Sequence, residues 1–403
     1  MVVDGTEFDV LRTVIGISVL VLTARIFAGI LSRFRVPEVI GEILAGVTLG
    51  PFALGGAIVV FGQPIIQENS LFLAFATIGG IVVLLYAGLE FTLKDLVKSG
   101  VPALVIATAG VLLPFFLGYY AAIIFGLGIE AAMIVGATLT ATSLAVTVSV
   151  LRELRKHDTV EAKMMVSAAV IDDILGLIVL SVIIAIVQSH KAPSIYSIAT
   201  TTVLAFFIWG ASVIFAVLTI PRILRLLGRA RAEGTIEAGM TGITFGIAAF
   251  VGAFGLSPII GAFIAGMGAS ESRYKEGIRE FVAQLRLIFG PLFFAVIGTY
   301  LDLWRLSFTD VWLILTLVVV AIVAKYIGCG VPATFFLKDP KKGSRVGYGM
   351  ISRGEVGFIV IGIALTSQVI SQSVYSELLL TLIITTLISP ILLRRAYADD
   401  NIA

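Results

Sequence analysis

The sequence predicts an all-α integral membrane protein of thirteen transmembrane helices. Three observations predict it. Of the 403 residues, 59% are hydrophobic and only 13% are charged, where soluble domains carry about a quarter charged; mean hydropathy is +1.08. Apolar stretches near the ~20 residues that cross a bilayer core recur from end to end with short polar breaks between them. Lys and Arg concentrate in alternate breaks, the bias of cytoplasmic loops. This composition excludes a soluble enzyme, a disordered chain and a nucleic-acid binder. The formal charge of +2 implies no polyanionic partner. A single cysteine, Cys329, and two histidines, His157 and His190, leave no internal disulfide and no thiolate or zinc centre, so no cofactor is expected.

The apolar segments fall near residues 10–31, 37–60, 70–91, 101–127, 130–151, 163–188, 196–221, 234–254, 256–270, 284–303, 310–336, 345–368 and 375–393. The opening MVVDGTEFDV has no basic n-region, so the first segment is expected to be retained. No polar stretch is long enough for a soluble domain. The uncharged run 238–270 is too long for one crossing. It divides at Gly255-Leu256-Ser257-Pro258, because proline removes a backbone donor and glycine loosens the helix. With this division and the N-terminus outside, twenty-one of the 28 basic residues lie at inner ends, from Arg33 and Arg35 through to Arg394 and Arg395. The outer loops hold only Lys191 and Arg305. The C-terminus is then cytoplasmic. His157, in an inner basic loop, reads as a solvated residue or a pH sensor.

Charges at mid-span are the next signal, since each costs at least ~2.5–3.5 kcal/mol near the bilayer centre. Asp172 and Asp173 lie in SAAVIDDILGLIVL, roughly 13 Å in from Lys163 at 1.5 Å per residue. Adjacent helical residues point about 100° apart, so the two carboxylates reach different partners. Lys325, in LTLVVVAIVAKYIGCG, is at similar depth. A buried ammonium needs a carboxylate or loses its proton, and an Asp–Lys pair between these helices is the obvious solution. That pair is either a structural salt bridge or a lysine that gives up its proton when a cation takes the carboxylate. Arg353 and Glu355, in GMISRGEVGFIV, either compensate each other, with Arg353 snorkelling to the inner surface, or neutralise the ends of a broken helix. Glu42, Glu90, Arg25 and Arg286 lie near inner ends and read as loop anchors or gating contacts, and Cys329 as a small buried hydrophobe.

The segment IVGATLTATSLAVTVSV carries Thr138, Thr140, Thr142, Ser143, Thr147 and Ser149. Hydroxyls satisfy backbone groups where a membrane helix unwinds, or let helices approach closely. Unwound carbonyls and half-helix ends are cation ligands in transporters built from inverted repeats. Counting seven spans on from the fifth reaches the twelfth, with Gly347, Gly349, Gly354 and Gly357; seven on from the fourth reaches the Lys325 span. An odd offset reverses orientation, as inverted repeats require.

These residues resemble the second cation/proton antiporter family, most closely its NapA-type sodium/proton antiporters. The parts that carry the resemblance are RVPEVIGEILAGVTLGP, LLYAGLEFTLKDL, ATLTATSLAVTVSVLREL, SAAVIDDILGLIVL, GLSPIIGAFIAGM, the Lys325 span and ISRGEVGFIVIGIA, in that order across the chain. The resemblance implies the sodium/proton antiporter fold, inverted repeats with two crossing discontinuous helices. The core ion-translocation helices would be about 101–188 and 310–393, the dimerisation or scaffold helices about 10–91 and 234–303, and the linker about 196–221. It implies a homodimer in the plasma (inner) membrane that works by alternating access. It makes Asp173 the principal cation and proton site, with Na+ held by Asp173 and Asp172. Asp172 would pair with Lys325, Thr142 and Ser143 would line the crossing, and Glu355, with Arg353, would compensate the broken-helix charges. An Asp-Asp pair goes with electrogenic exchange in this family. Hard oxygen ligands suit Na+ or Li+ exchanged for H+, with K+/H+ exchange, a channel or an ion-coupled organic-anion transporter as the other transport readings. An intramembrane aspartyl protease takes its two aspartates from different helices, and here they are adjacent, so no enzyme is expected.

Overall fold

The structure is a computed structural model of the chain. It describes residues 5–34, 36–60, 62–66, 70–90, 92, 100–156, 158–188, 195–229, 232–253 and 258–398, and of some of these, Asp173 and Glu355 among them, the backbone only. His157, His190, Lys94, Lys98 and Lys191 lie outside the described residues.

The chain is a multi-pass helical membrane protein. Among the described residues, nine helices are long and apolar enough to cross a membrane, and Ile129–Thr138, Pro258–Ala269 and Val356–Thr366 are shorter apolar helices. In order the helices are α1 (Gly5–Ser32), α2 (Glu38–Leu49), the single turn α3 (Leu54–Ala57), α4 (Ser70–Glu90), α5 (Gly100–Ile124), α6 (Ile129–Thr138), α7 (Leu144–Glu153), α8 (Val160–Gln188), α9 (Ile195–Leu227), α10 (Thr235–Ala253), α11 (Pro258–Ala269), α12 (Lys275–Thr299), α13 (Phe308–Leu337), α14 (Pro340–Gly349), α15 (Glu355–Thr366) and α16 (Gln372–Ala398).

Several expected single segments are divided. Segment 37–60 is α2 and α3 followed by a two-residue hairpin, Val59–Val60 paired with Gln63–Pro64. Gly50-Pro51 ends α2, because the residue before a proline leaves the α region. Gly62 turns the hairpin at φ +79°, open to glycine without steric penalty. Segment 130–151 is the pair α6 and α7, and segment 345–368 belongs to the pair α14 and α15. Run 238–270 is two helices, α10 and α11, flanking residues 254–257.

Local chemistry sets the ends around α13. Ser307 and Asp310 form a capping box: the Asp310 amide donates to Ser307 Oγ (3.4 Å) and the Ser307 amide to Asp310 Oδ2 (2.8 Å). Lys338 closes α13 in the left-handed region (φ 51°), and Asp339 caps α14, accepting from the Lys341 and Lys342 amides ahead of Pro340.

The chain divides into two compact units, residues 1–92 with 206–304, and residues 93–205 with 305–403. In the first, α4 packs against α11 and α12, and α2 against α1 and α12. Glycine makes these approaches possible. A Cβ on Gly46 would overlap the Ala295 carbonyl, on Gly298 the Ile43 carbonyl, and on Gly88 the Phe263 carbonyl, the small-residue contact that membrane helices use in place of a hydrophobic driving force. Glu42, Glu90, Arg25 and Arg286 all have partners here. Arg25 meets Glu38 at 3.2 Å and Glu42 at 3.5 Å, Arg279 meets Glu90 at 3.6 Å, and Arg286 stands over the Tyr86 ring at 4.7 Å.

In the second unit, α5 lies along α13, with Gly328 against the Ala109 carbonyl and Gly110 against Cys329. Helix α8 packs on α5, and α14 folds back along α13. Everything described below lies in this unit.

Candidate functional site

The site is a crossing of two broken helices beside a buried ion pair. Asp172, on α8, and Lys325, on α13, are both wholly buried, and Lys325 Nζ donates to Asp172 Oδ1 at 2.7 Å. Gly110 of α5 borders this contact; a Cβ there would stand 3.7 Å from Lys325 Nζ and 3.8 Å from Asp172 Oδ1, ordinary contact distances, and would overlap Cys329 Sγ instead. The other carboxylate oxygen, Asp172 Oδ2, is buried and meets no hydrogen-bond partner among the described residues. Breaking such a pair from one side leaves a charge in a low dielectric, so the two groups hold each other in place.

The first break runs from Leu139 to Ser143, between α6 and α7; the second from Met350 to Gly354, between α14 and α15. The two join directly. The Ser143 amide donates to the Ser352 carbonyl at 2.8 Å, and Ser352 Oγ donates to the Ser143 carbonyl at 3.0 Å. Gly354 is required at this contact, because a Cβ would lie 2.7 Å from the Thr142 carbonyl oxygen.

Breaking two helices exposes four ends, each with unpaired backbone groups and a partial charge. The carbonyl end of α6 is met by Arg353. Its guanidinium donates to the Leu139 and Ala141 carbonyls, and through Nη2 to the Ala321 carbonyl of α13 at 2.8 Å. The carbonyl end of α14 is met by hydroxyls. Thr147 Oγ1 donates to Gly349 O at 2.6 Å, and Thr142 Oγ1 lies 3.4 Å from Met350 O. The amide end of α7 is capped by Ser143, whose Oγ accepts from the Val146 amide at 3.4 Å. Glu355 opens α15, where a carboxylate is favoured by the amide end; its side chain lies outside the described part.

Thr142 and Ser143 are therefore at the crossing, and Thr142 stands beside the Asp172 carboxylate. Asp173 follows Asp172 on α8, with its side chain outside the description. Snorkelling of Arg353 to the inner surface does not occur. The residue is 1% exposed, because two carbonyls of the first break and the Ala321 carbonyl of α13 accept from its guanidinium.

The sodium/hydrogen exchanger, transmembrane, family model matches residues 18–396. The chain belongs to the sodium/hydrogen exchanger family. Among curated proteins of this kind it is 31% identical to the Na(+)/H(+)-K(+) antiporter GerN of Bacillus cereus, over 96% of each chain. It is 33% identical to a Na(+)/H(+) antiporter of Enterococcus hirae, over 94% of this chain and 97% of that one. Its fold matches the sodium proton antiporter MjNhaP1 from Methanocaldococcus jannaschii with a TM-score of 0.70 over 97% of both chains at 14% identity.

For this exchanger-family chain, reading the residues alone missed Ser352 and Thr386. Ser352 closes the crossing, and Thr386 Oγ1 donates to the Arg353 carbonyl at 3.2 Å. The only sequence cue was the abundance of hydroxyls in buried helices; α16 carries Thr381, Thr385, Thr386 and Ser389, all buried.

Proposed function

We propose that this chain is a secondary active antiporter exchanging Na+ or Li+ for H+ at the Asp172/Asp173 carboxylates. The observation that carries the reading is the Asp172–Lys325 pair, buried beside the junction of two broken helices, with one carboxylate oxygen meeting no hydrogen-bond partner among the described residues. A carboxylate takes either a proton or, with hard carbonyl oxygens beside it, a dehydrated alkali cation, so the two compete for one place. In this reading Asp173 is the principal cation and proton ligand. Asp172 is its partner, released from Lys325 when a cation binds, and Thr142 and Ser143 line the approach. Arg353 and Glu355 hold the half-helix ends at neutral balance while the loaded site is presented alternately to each side. Exchange needs no cofactor and no chemical step.

The membrane arrangement belongs to the same proposal: thirteen spans in a plasma membrane, N-terminus outside and C-terminus cytoplasmic. The translocating helices are 101–188 and 310–393, the scaffold helices 10–91 and 234–303, the linker helix 196–221, and the working form is a homodimer. The name of the Bacillus cereus relative supports K+ as an additional or alternative cation.

The test is exchange in proteoliposomes with a pH dye inside and an imposed proton gradient. Pulses of Na+ or Li+ are expected to dissipate the gradient, and Asp173→Asn is expected to abolish this while eluting as the wild-type oligomer. Exchange retained by Asp173→Asn would overturn the site. A response to K+ alone would replace the cation and leave the site.

A further inference from the structure

A second buried ion pair lies toward the inner end of the same unit and takes no part in the site as described. Arg345 Nη1 of α14 meets Glu161 Oε1 of α8 at 3.1 Å, with side chains 9% and 4% exposed. The Arg345 guanidinium lies 4.4 Å over the ring of Tyr397 on α16, and its Nε donates to the Ala396 carbonyl at 3.2 Å. The Tyr397 hydroxyl reaches Glu161 Oε1 at 3.5 Å, completing a triangle across three helices. Apolar side chains seal it: Ala162, Met165, Val346, Met350 and Leu393 are all buried in one cluster with Tyr397.

Both charged residues sit on helices that carry the site. Glu161 is eleven residues before Asp172 on α8, about 16 Å along the axis at 1.5 Å per residue. Arg345 is one turn before Gly349 and Met350, whose carbonyls receive Thr147 and Thr142 at the crossing. Between clamp and crossing, α14 rides directly on α8, so closely that a Cβ on Gly349 would overlap the Met165 sulfur. A shift of α14 against α8 at Arg345 is therefore passed to the Met350 end, whose carbonyl meets Thr142, the residue beside Asp172.

We propose that Glu161, Arg345 and Tyr397 are positioning residues that set cation affinity by holding α14 in register with the helix of Asp172. The proposal rests on the antiport reading above. A buried ion pair is weak support for stability, and fixing one arrangement among several is its best-attested use. The bidentate, planar geometry of arginine and its stacking on an aromatic ring suit it to that use.

The experiment compares Glu161→Gln, Arg345→Gln, the double variant and Tyr397→Leu in proteoliposomes with Na+ as the probe, alongside hydrogen exchange of the purified proteins. Each single variant is expected to raise the apparent KM for Na+ at least fivefold and to shift the pH midpoint of exchange, with kcat changed less. The double variant, which restores a neutral hydrogen-bonded pair, is expected to recover most of the affinity. The amides of 139–143 and 350–354 are expected to lose protection in the single variants and regain it in the double. A merely structural pair lowers yield and kcat together and leaves KM and the pH profile alone, and that result overturns the proposal. If a charged single variant does not fold, Tyr397→Leu keeps the question open to the same readout. If the wild type exchanges no cation, the antiport reading fails, and unchanged protection at the crossing still rejects the clamp.

Discussion

Lys325 and Asp172 are each the reason the other is tolerated. Both side chains are wholly buried at their 2.7 Å contact, and the second Asp172 oxygen meets no hydrogen-bond donor among the described residues. Removing one partner of a buried pair costs about 3–5 kcal/mol, whereas replacing both with apolar or neutral groups of similar volume is often neutral. Lys325→Met is therefore expected to lower the thermal midpoint in detergent clearly, and Asp172→Asn combined with Lys325→Met to regain most of it. Melting of the single and double variants side by side checks this; a double variant no better than Lys325→Met would mean the pair is not the source of the loss. Among the described residues Arg353 is held differently, by three carbonyls, and its reach depends on a planar fork. Lysine at that position offers one point charge to three acceptors, so Arg353→Lys is expected to reduce exchange about tenfold or more, read as kcat/KM for Na+ in proteoliposomes. Activity near wild type would show that charge alone suffices at the α6 end.

At the scale of elements, the two breaks are held together because the carbonyl end of α6 is answered by Arg353 of the other break, and that of α14 by Thr147 and Thr142. Gly354 is the narrowest point of that arrangement. A methyl group at 2.7 Å from the Thr142 carbonyl meets backbone on both sides, so Gly354→Ala can be relieved only by separating the two breaks. The expected outcome is loss of the Ser143–Ser352 hydrogen bond, faster amide exchange at Ser143 and loss of cation exchange. Gly357→Ala, three residues on, has as its three nearest neighbours side-chain carbons alone, the flexible Leu382 methyls at 3.2 and 3.4 Å and the Ala141 methyl at 3.6 Å, and serves as the control. What the sequence made legible here follows from periodicity and depth. Lys325 and Asp172 could be matched because each lies a countable number of residues from a basic inner end. The hydroxyl-rich run and the glycines around Arg353 marked where helices loosen. The direction of Arg353 could not be read, because a side chain in a break has no helical phase to follow, and snorkelling and burial were equally open. Ser352 and Thr147 meet across 205 residues of chain, and no local rule links them. Glu161 and Arg345 were hidden for another reason. Flanked by Lys163 and by Lys341 and Lys342, they look like members of solvated basic loops.

For the whole molecule, the proposed exchange at the adjacent carboxylates Asp172 and Asp173 predicts how the membrane potential acts on transport. Lys325 neutralises one of them in the structure as it stands. A cycle that releases two protons for one Na+ moves one net charge across the bilayer, and each such charge is worth about 2.3 kcal/mol per 100 mV. That energy is large enough to change the rate severalfold when the potential is stepped by a valinomycin clamp. With Na+ or Li+ as substrate, an inside-negative or inside-positive clamp is expected to accelerate exchange in one direction and slow it in the other. Asp172→Asn combined with Lys325→Met removes a carboxylate and its counter-charge together, leaving Asp173 as the one titratable ligand of the pair. One proton then competes with one cation, and the cycle moves no net charge. The double variant, which the stability argument expects to fold, is thus expected to exchange without sensitivity to the clamp. Rate against clamped potential, measured for wild type and double variant in the same liposomes, separates the cases. A flat response in the wild type rejects two-proton exchange, and a steep response in the double variant places the second proton on a group other than Asp172 or Lys325.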